Sequence, residues 1–349
     1  MNPLATICKD QRTYFQPKKR NPSKLVSCWS EKDDLNGETI DAFVIIFRTR
    51  GCSWALQSGC SMCGYFNDSA WQTITSSQLL DQFQQAMNRY QDEPLVKIFT
   101  SGSFLDDYEV PLEVQKKILK QLGNKTKKIS VESRPEYVTK QKLETIKPLL
   151  ANTSFEVGIG LETAQDSTRN LTINKGFSLS DFQTAAILLK TYGFLLKTYV
   201  LVKPPFLTEQ EAIQDSINTI DTIADISDRV SVNPTNVQRY TLVEYLWKRG
   251  QYRPPWLWSV IEILKTSKQN HPNLHIQCDV AGGGKPRGAH NCKQCDTTIL
   301  QKIKQFSLTQ NIDVFTDLNC KCKHQWQIQL ELEPLSFGSI TDTQRWKNL

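Results

Sequence analysis

Apolar positions along the chain follow two alternating rhythms. Short runs rich in β-branched residues, Phe43–Phe47, Val96–Phe99, Ile129–Glu132, Phe155–Gly160, Leu195–Val202 and Val230–Asn233, predict strands. Between them apolar residues recur three and four apart, predicting amphipathic helices over 77–91, 112–122, 140–150, 179–192 and 209–226. Ser76 and Ser77, ahead of Leu79, Leu80 and Phe83, mark a helix start. Repetition of strand and helix in this order predicts a parallel sheet with crossover helices. Six strands within about two hundred residues fit an open, partial parallel (β/α)6 barrel, since a complete eight-stranded one needs about 250.

The rhythm is absent at both ends, which divides the chain into three expected parts. Residues 1–37 read as a polar, basic extension, 38–244 as the barrel, and 245–349 as a small C-terminal module. The overall charge of +6 is mild, but residues 1–30 and 245–305 are basic and the middle is acidic. That layout suits an anionic partner held by the basic segments, and equally a solvated surface. Hydrophobic content of 39% and charged content of 22% exclude a disordered or fibrous chain. The longest apolar run, Ala42–Phe47, is too short for a membrane span, and no signal peptide follows the first methionine. A cytoplasmic protein with no membrane partner is expected.

Ten cysteines in such a chain read as metal ligands rather than disulfides. Cys52, Cys60 and Cys63 follow the first predicted strand, where parallel βα folds place their chemistry. Three thiolates are one short of a closed zinc site, and on a four-iron cluster they leave one iron open. The triplet alone does not separate iron from zinc completed by a distant ligand.

At the triplet the sequence resembles the radical S-adenosylmethionine enzymes. Met62 fills the apolar slot before the last cysteine, although the first gap is longer than the usual three residues, as in the elongator catalytic subunit. The runs 50–54, 60–65, 99–104, 156–163 and 203–206 more closely resemble the radical subunit of archaeosine synthases. The resemblance implies a [4Fe–4S] cluster on Cys52, Cys60 and Cys63, with S-adenosylmethionine on the fourth iron. Met62 and Tyr65 would border the cofactor. It implies that Thr100, Ser101 and Gly102 hold the methionyl amine, although serines stand where the family carries an acid. Glu162 would bond the ribose and Arg169 the methionyl carboxylate; a plain salt bridge is an equal reading for Arg169. It also implies the reaction: hydrogen abstraction from a lysine-adducted deazaguanine in tRNA and C–N cleavage to archaeosine. A lysine-transferring archaeosine synthase subunit and a reductant for the cluster would be the partners. No catalytic side chain is assigned; Glu132, Arg134, Asn233, Asn236 and Gln238 are candidates for the adduct because they lie at strand ends.

Cys292, Cys295, Cys320 and Cys322 supply a full tetrahedral thiolate set and predict Zn2+, with an auxiliary iron–sulfur cluster as the other reading. Cys278 ranks as a substitute ligand, and His290 and His324 rank below it. The loop 281–288 lacks the P-loop spacing, and Lys285 and Arg287 in it suit phosphate contact or plain solvent exposure. Segment 245–258 interleaves Tyr245, Trp247, Tyr252, Trp256 and Trp258 with Lys248, Arg249 and Arg253. Its arginines suit RNA, whereas Trp256 and Trp258 read as barrel cover. A different tRNA-modifying radical enzyme, or a non-catalytic zinc-dependent RNA-binding protein, are the alternatives.

Overall fold

The computed structural model describes residues 2–16, 18–70 and 72–335. Eight strands form one sheet in chain order. β1 (Ser27–Leu35) is antiparallel to β2 (Glu38–Ile46). Strands β3 (Leu95–Phe99), β4 (Lys128–Ser133), β5 (Ser154–Glu162), β6 (Leu195–Val202), β7 (Arg229–Pro234) and β8 (His275–Cys278) continue parallel to β2. The six expected strands are present, and the count of six is corrected to eight. β1 lies in the segment expected as an extension, turned back by Asn36 and Gly37, both at positive φ, as two-residue hairpins require. β8 lies beyond residue 245 and is only four residues long, too short to show a period.

The helices are α1 (Pro3–Thr13), α2 (Ser53–Gln57), α3 (Ser76–Met87), α4 (Leu112–Leu122), α5 (Lys140–Ile146), α6 (Asp166–Thr168), α7 (Leu179–Thr191), α8 (Glu209–Ile223), α9 (Leu242–Lys248), α10 (Leu257–Asn270), α11 (Asp296–Thr309) and α12 (Cys322–Leu332). The start of α3 is set by Thr75, whose side chain forms a capping box with Gln78, rather than by Ser76 and Ser77. One buried core runs from Phe43 through the sheet to Phe306 and Trp326, so the helices after residue 245 pack on the same core as the barrel. Residues 336–349 of the expected C-terminal module lie outside the described residues. Among the described residues no helix is long and apolar enough to cross a membrane.

The strands alternate strictly. Phe43, Ile45, Val96, Ile98, Ile129, Val131, Phe155 and Val157 face the helices in the core. Their neighbours turn inward, apolar at Ala42, Val44 and Leu95 and polar on β4 and β5, where Lys128 pairs with Glu156 and Ser130 donates to Glu156 at 2.7 Å. At the floor, Asp33 of β1 meets Lys97 of β3 and, at 3.0 Å, Arg229 of β7. Six strand spacings would separate β1 from β7 by about 29 Å on a flat sheet; their contact therefore requires a curled half-barrel. Burial alone would push the Asp33 carboxyl up, but Lys97 and Arg229 hold it far below the usual range.

Removing Asp33 takes one carboxylate from two buried cations and leaves Lys97 with Glu31 and Arg229 with Asp34. Asp33→Ala is therefore expected to cost about 1–3 kcal/mol of stability, measured as a drop in the urea midpoint. His275, also on the floor, is kept neutral by burial and then by Arg229, which lower its pKa from 6.5 to about 3. The unfolded chain therefore binds a proton that the folded one refuses. Stability is complete above pH 6.5 and falls as the pH drops toward 3, by about 2 kcal/mol at pH 5. In His275→Asn this part of the acid loss should vanish from denaturation curves recorded between pH 7 and 5.

Candidate metal and cofactor site

The cysteine triplet sits where β2 runs out at the mouth of the half-barrel, and three segments sew its loop in place. Arg12 of α1 donates to the carbonyls of Ala55, Ser58 and Cys60 and lies over Phe66. Ser61 donates its N–H to Ile173 O at 2.8 Å and its hydroxyl to Thr172 O at 2.6 Å. Asn174 donates to Gly59 O at 2.7 Å. Gly59, at positive φ, is enforced because a Cβ there would fall inside the Arg12 guanidinium. The segment read as a basic extension is thus part of the site, and only the arginine among apolar neighbours on α1 hinted at it.

Burial, and then Glu109, push the Cys52 thiol up to about 12; burial, and then Cys60, push Cys63 to about 11. These two thiols keep their protons until a metal displaces them. Thr100, Ser101 and Gly102 follow β3. Ser101 bonds Ser69 at 2.9 Å, and Thr100 Oγ1 accepts from Gly102 N at 3.2 Å. A Cβ on Gly102 would lie 2.7 Å from Cys52 Cα, so only glycine lets the β3 loop reach the cysteine loop. Beneath lies Glu109, which sequence reasoning missed. It accepts from Thr49 Oγ1 at 2.5 Å and Ser103 N at 2.6 Å, and burial raises its carboxyl to about 7.

Glu162 ends β5 after a register shift and takes φ +71°, a left-handed conformation costly for a non-glycine residue. Its Oε1 accepts from Lys175 Nζ at 2.5 Å. Lys175 was not singled out from sequence, yet it faces both Glu162 and Cys60. Arg169 is fully buried, donating to Phe177 O at 3.0 Å and Thr163 O and pairing with Asp166. In this structure it braces the 163–177 loop that carries Lys175. Met62 packs near Val237, Val243 and Tyr252. Tyr65 is exposed at the barrel mouth, where it meets Cys63 and Gln238 and feels Glu132 and Asp279.

Of the strand-end candidates, Glu132 lies in the lumen bonded by Tyr199. Arg134 donates to Lys175 O at 2.9 Å and pairs with Glu136. Gln238 accepts from Gly64 N at 2.5 Å, Asn233 meets Ser231 at 3.1 Å, and Asn236 borders Gly282. Trp256 caps α10, while Trp258 is buried. Arg253 donates to His290 O at 2.7 Å, and Arg287 pairs with Glu244 at 2.7 Å. Lys285 is exposed.

Cys292, Cys295, Cys320 and Cys322 converge within 4.8 Å. Their sulfurs stand 3.8, 3.6 and 3.6 Å apart along three edges, against about 3.8 Å for a tetrahedron with 2.3 Å metal–sulfur bonds. Trp258 Nε1 donates to Cys322 Sγ at 3.3 Å and Asn291 to Cys295 Sγ at 3.4 Å. Cys278, His290 and His324 stand outside this group. Among the described residues, Cys52, Cys60 and Cys63 do not form such a group.

A curled parallel sheet whose first parallel strand delivers three cysteines to its mouth defines the radical S-adenosylmethionine class. A solved methylornithine synthase shares the fold, with TM-score 0.50 at 12% identity, over 78% of this chain and 69% of that one. No family model matches. The archaeosine synthase subunit beta of Methanosarcina acetivorans is 42% identical over 333 residues, 94% of this chain and 96% of that one. The subunit of the same name from Thermococcus kodakarensis is 35% identical, over 90% of this chain and 99% of its own. The chain belongs to the family of archaeosine synthase beta subunits.

Gly102→Ala, by driving a Cβ against the Cys52 backbone, is expected to leave the purified protein with less than about half the iron of the parent, counted by elemental analysis.

Proposed function

We propose that this chain is the radical subunit of a tRNA-modifying enzyme, converting a lysine-adducted 7-cyano-7-deazaguanine nucleotide to archaeosine. The observation that carries the reading is the full-length likeness to archaeosine synthase beta subunits, joined to a three-cysteine loop opening on a polar lumen. Cys52, Cys60 and Cys63 would hold a [4Fe–4S] cluster, which with S-adenosylmethionine would supply the one-electron chemistry that takes hydrogen from the lysyl carbon beside the amidine nitrogen. With a second electron returned to the oxidised cluster, that carbon would become an imine, and addition of one water would cleave its C–N bond, leaving the amidine and releasing the remnant as an aldehyde.

The chain's own residues then have distinct tasks. Thr100, Ser101 and Gly102 border the methionyl amine; Glu162 accepts from the ribose hydroxyls, a role its strand-end position and strained backbone support. Lys175, held at Glu162, offers the methionyl carboxylate a cation better placed than Arg169, whose guanidinium is spent on the loop. The loop over α2, α1 and residues 172–174 excludes water from the reacting atoms. A zinc ion on Cys292, Cys295, Cys320 and Cys322 ties α11 to α12 beside Trp258. Basic residues of 1–30 and 245–258 grip tRNA phosphates, and a lysine-transferring subunit and a reductant act as partners in the cytoplasm.

Anaerobic incubation of the brown protein with lysine-adducted tRNA, S-adenosylmethionine and a reductant should yield 5′-deoxyadenosine and the amidine base. A colourless protein carrying only zinc, or turnover independent of the adduct, overturns the proposal. Cys320→Ser should lower zinc to less than about a tenth of one ion per chain while iron stays bound, because the two sets share no ligand.

A further inference from the structure

Two opposite charges of the half-barrel, Lys197 buried in the row of Arg229 and Asp279 exposed just past β8, make no hydrogen bond or ion pair among the described residues. Lys197 of β6 is 5% exposed, yet among the described residues its Nζ makes no hydrogen bond or ion pair; its nearest recorded contact is the Tyr199 ring, 5.1 Å away. Every other cation of the inner wall is matched: Lys97 by Asp33, Lys128 by Glu156, Arg229 by Asp33 and Asp34, Lys175 by Glu162. Asp279 likewise makes no hydrogen bond or ion pair among the described residues, and it feels Glu31 first and then Lys197 and Lys97 electrostatically. The wall beside Lys197 is bare because Gly158 is its register partner on β5. A Cβ on Gly158 would sit 2.9 Å from the Tyr199 ring, and one on Gly160 2.5 Å from Glu162.

A buried ammonium without a partner is costly unless an anionic group joins it, and the exposed Asp279 stands within its electrostatic reach. We infer that Lys197 and Asp279 form a seat for a zwitterionic α-amino acid end, Lys197 taking the carboxylate and Asp279 the ammonium. The identity of that ligand rests on the function proposed above: it is the far end of the lysyl adduct. Glu162 at the mouth pairs with Val200, three residues along β6 from Lys197, about 10 Å above the seat. A lysyl chain and the Lys197 side chain, reaching about 6 Å each, span that depth together. The seat holds the amino acid end so that the lysyl carbon next to the amidine nitrogen stays at the mouth. The methionyl end of S-adenosylmethionine carries the same charges and is the rival occupant.

The test uses reconstituted holoenzyme and N6-(1-iminoethyl)-L-lysine, which carries an amidine on a lysyl chain, with binding read by calorimetry. Analogues lacking the carboxylate or the α-amine should each bind at least tenfold more weakly. Lys197→Met should abolish the first discrimination and Asp279→Asn the second, with iron content reporting that each variant is folded. Saturating S-adenosylmethionine should leave the probe bound. Equal affinity for all three probes, absence of binding, discrimination that survives the substitutions, or displacement by S-adenosylmethionine each overturns the seat. Discriminating binding in a protein that makes no amidine base would instead sink the proposed reaction and leave the seat standing.

Discussion

The carboxylate of Asp33 holds the whole architecture in its working shape. By joining Lys97 of β3 and Arg229 of β7 it brings distant strands of an open sheet together and turns a plane into a trough. Only a trough has an interior, and only an interior can keep a reactive species away from water. A buried ion cluster is an expensive way to close a floor, since hydrophobic residues would cost less to bury. The polar choice has a use here: it lines much of the inner wall with charged groups, which the ligands proposed for the lumen would meet.

Above that floor the strand ends divide the labour. β2 and β3 meet around the cysteine loop through the missing side chain of Gly102, and β5 ends in the strained turn of Glu162. Lys175 links the two halves, bonded to one and felt by the other. The second cysteine set stands apart, on the far side of α10, and steadies packing of the last helices against the barrel.

Much of this was legible in the residues. Phe43–Phe47 and its successors announce buried strands because their outward faces are uniformly apolar. The cysteine triplet and quartet announce themselves by spacing. β1 was hidden because half of its residues turn to the floor or to solvent and break any apolar run, although Asn36–Gly37 is a strong hairpin signal. Lys197 and Tyr199, two apart in a strand read only as an apolar run, carry the period of two that marks an inward face. Arg169 and Lys175 could not be ranked from sequence, since both are cations at similar range beyond Glu162. Only the burial of one and the reach of the other separate them.

The clamp of α1 on the cysteine loop ties the timing of metal insertion to protein synthesis. Arg12 contacts the Cys60 carbonyl across 48 positions of chain, a stretch that takes about 2–10 s to emerge at usual translation rates. Until then the first helix has no loop to fasten, whereas the loop emerges with its fastener already made. The three thiols therefore need never stand unguided, provided that the amino end folds back as soon as they appear.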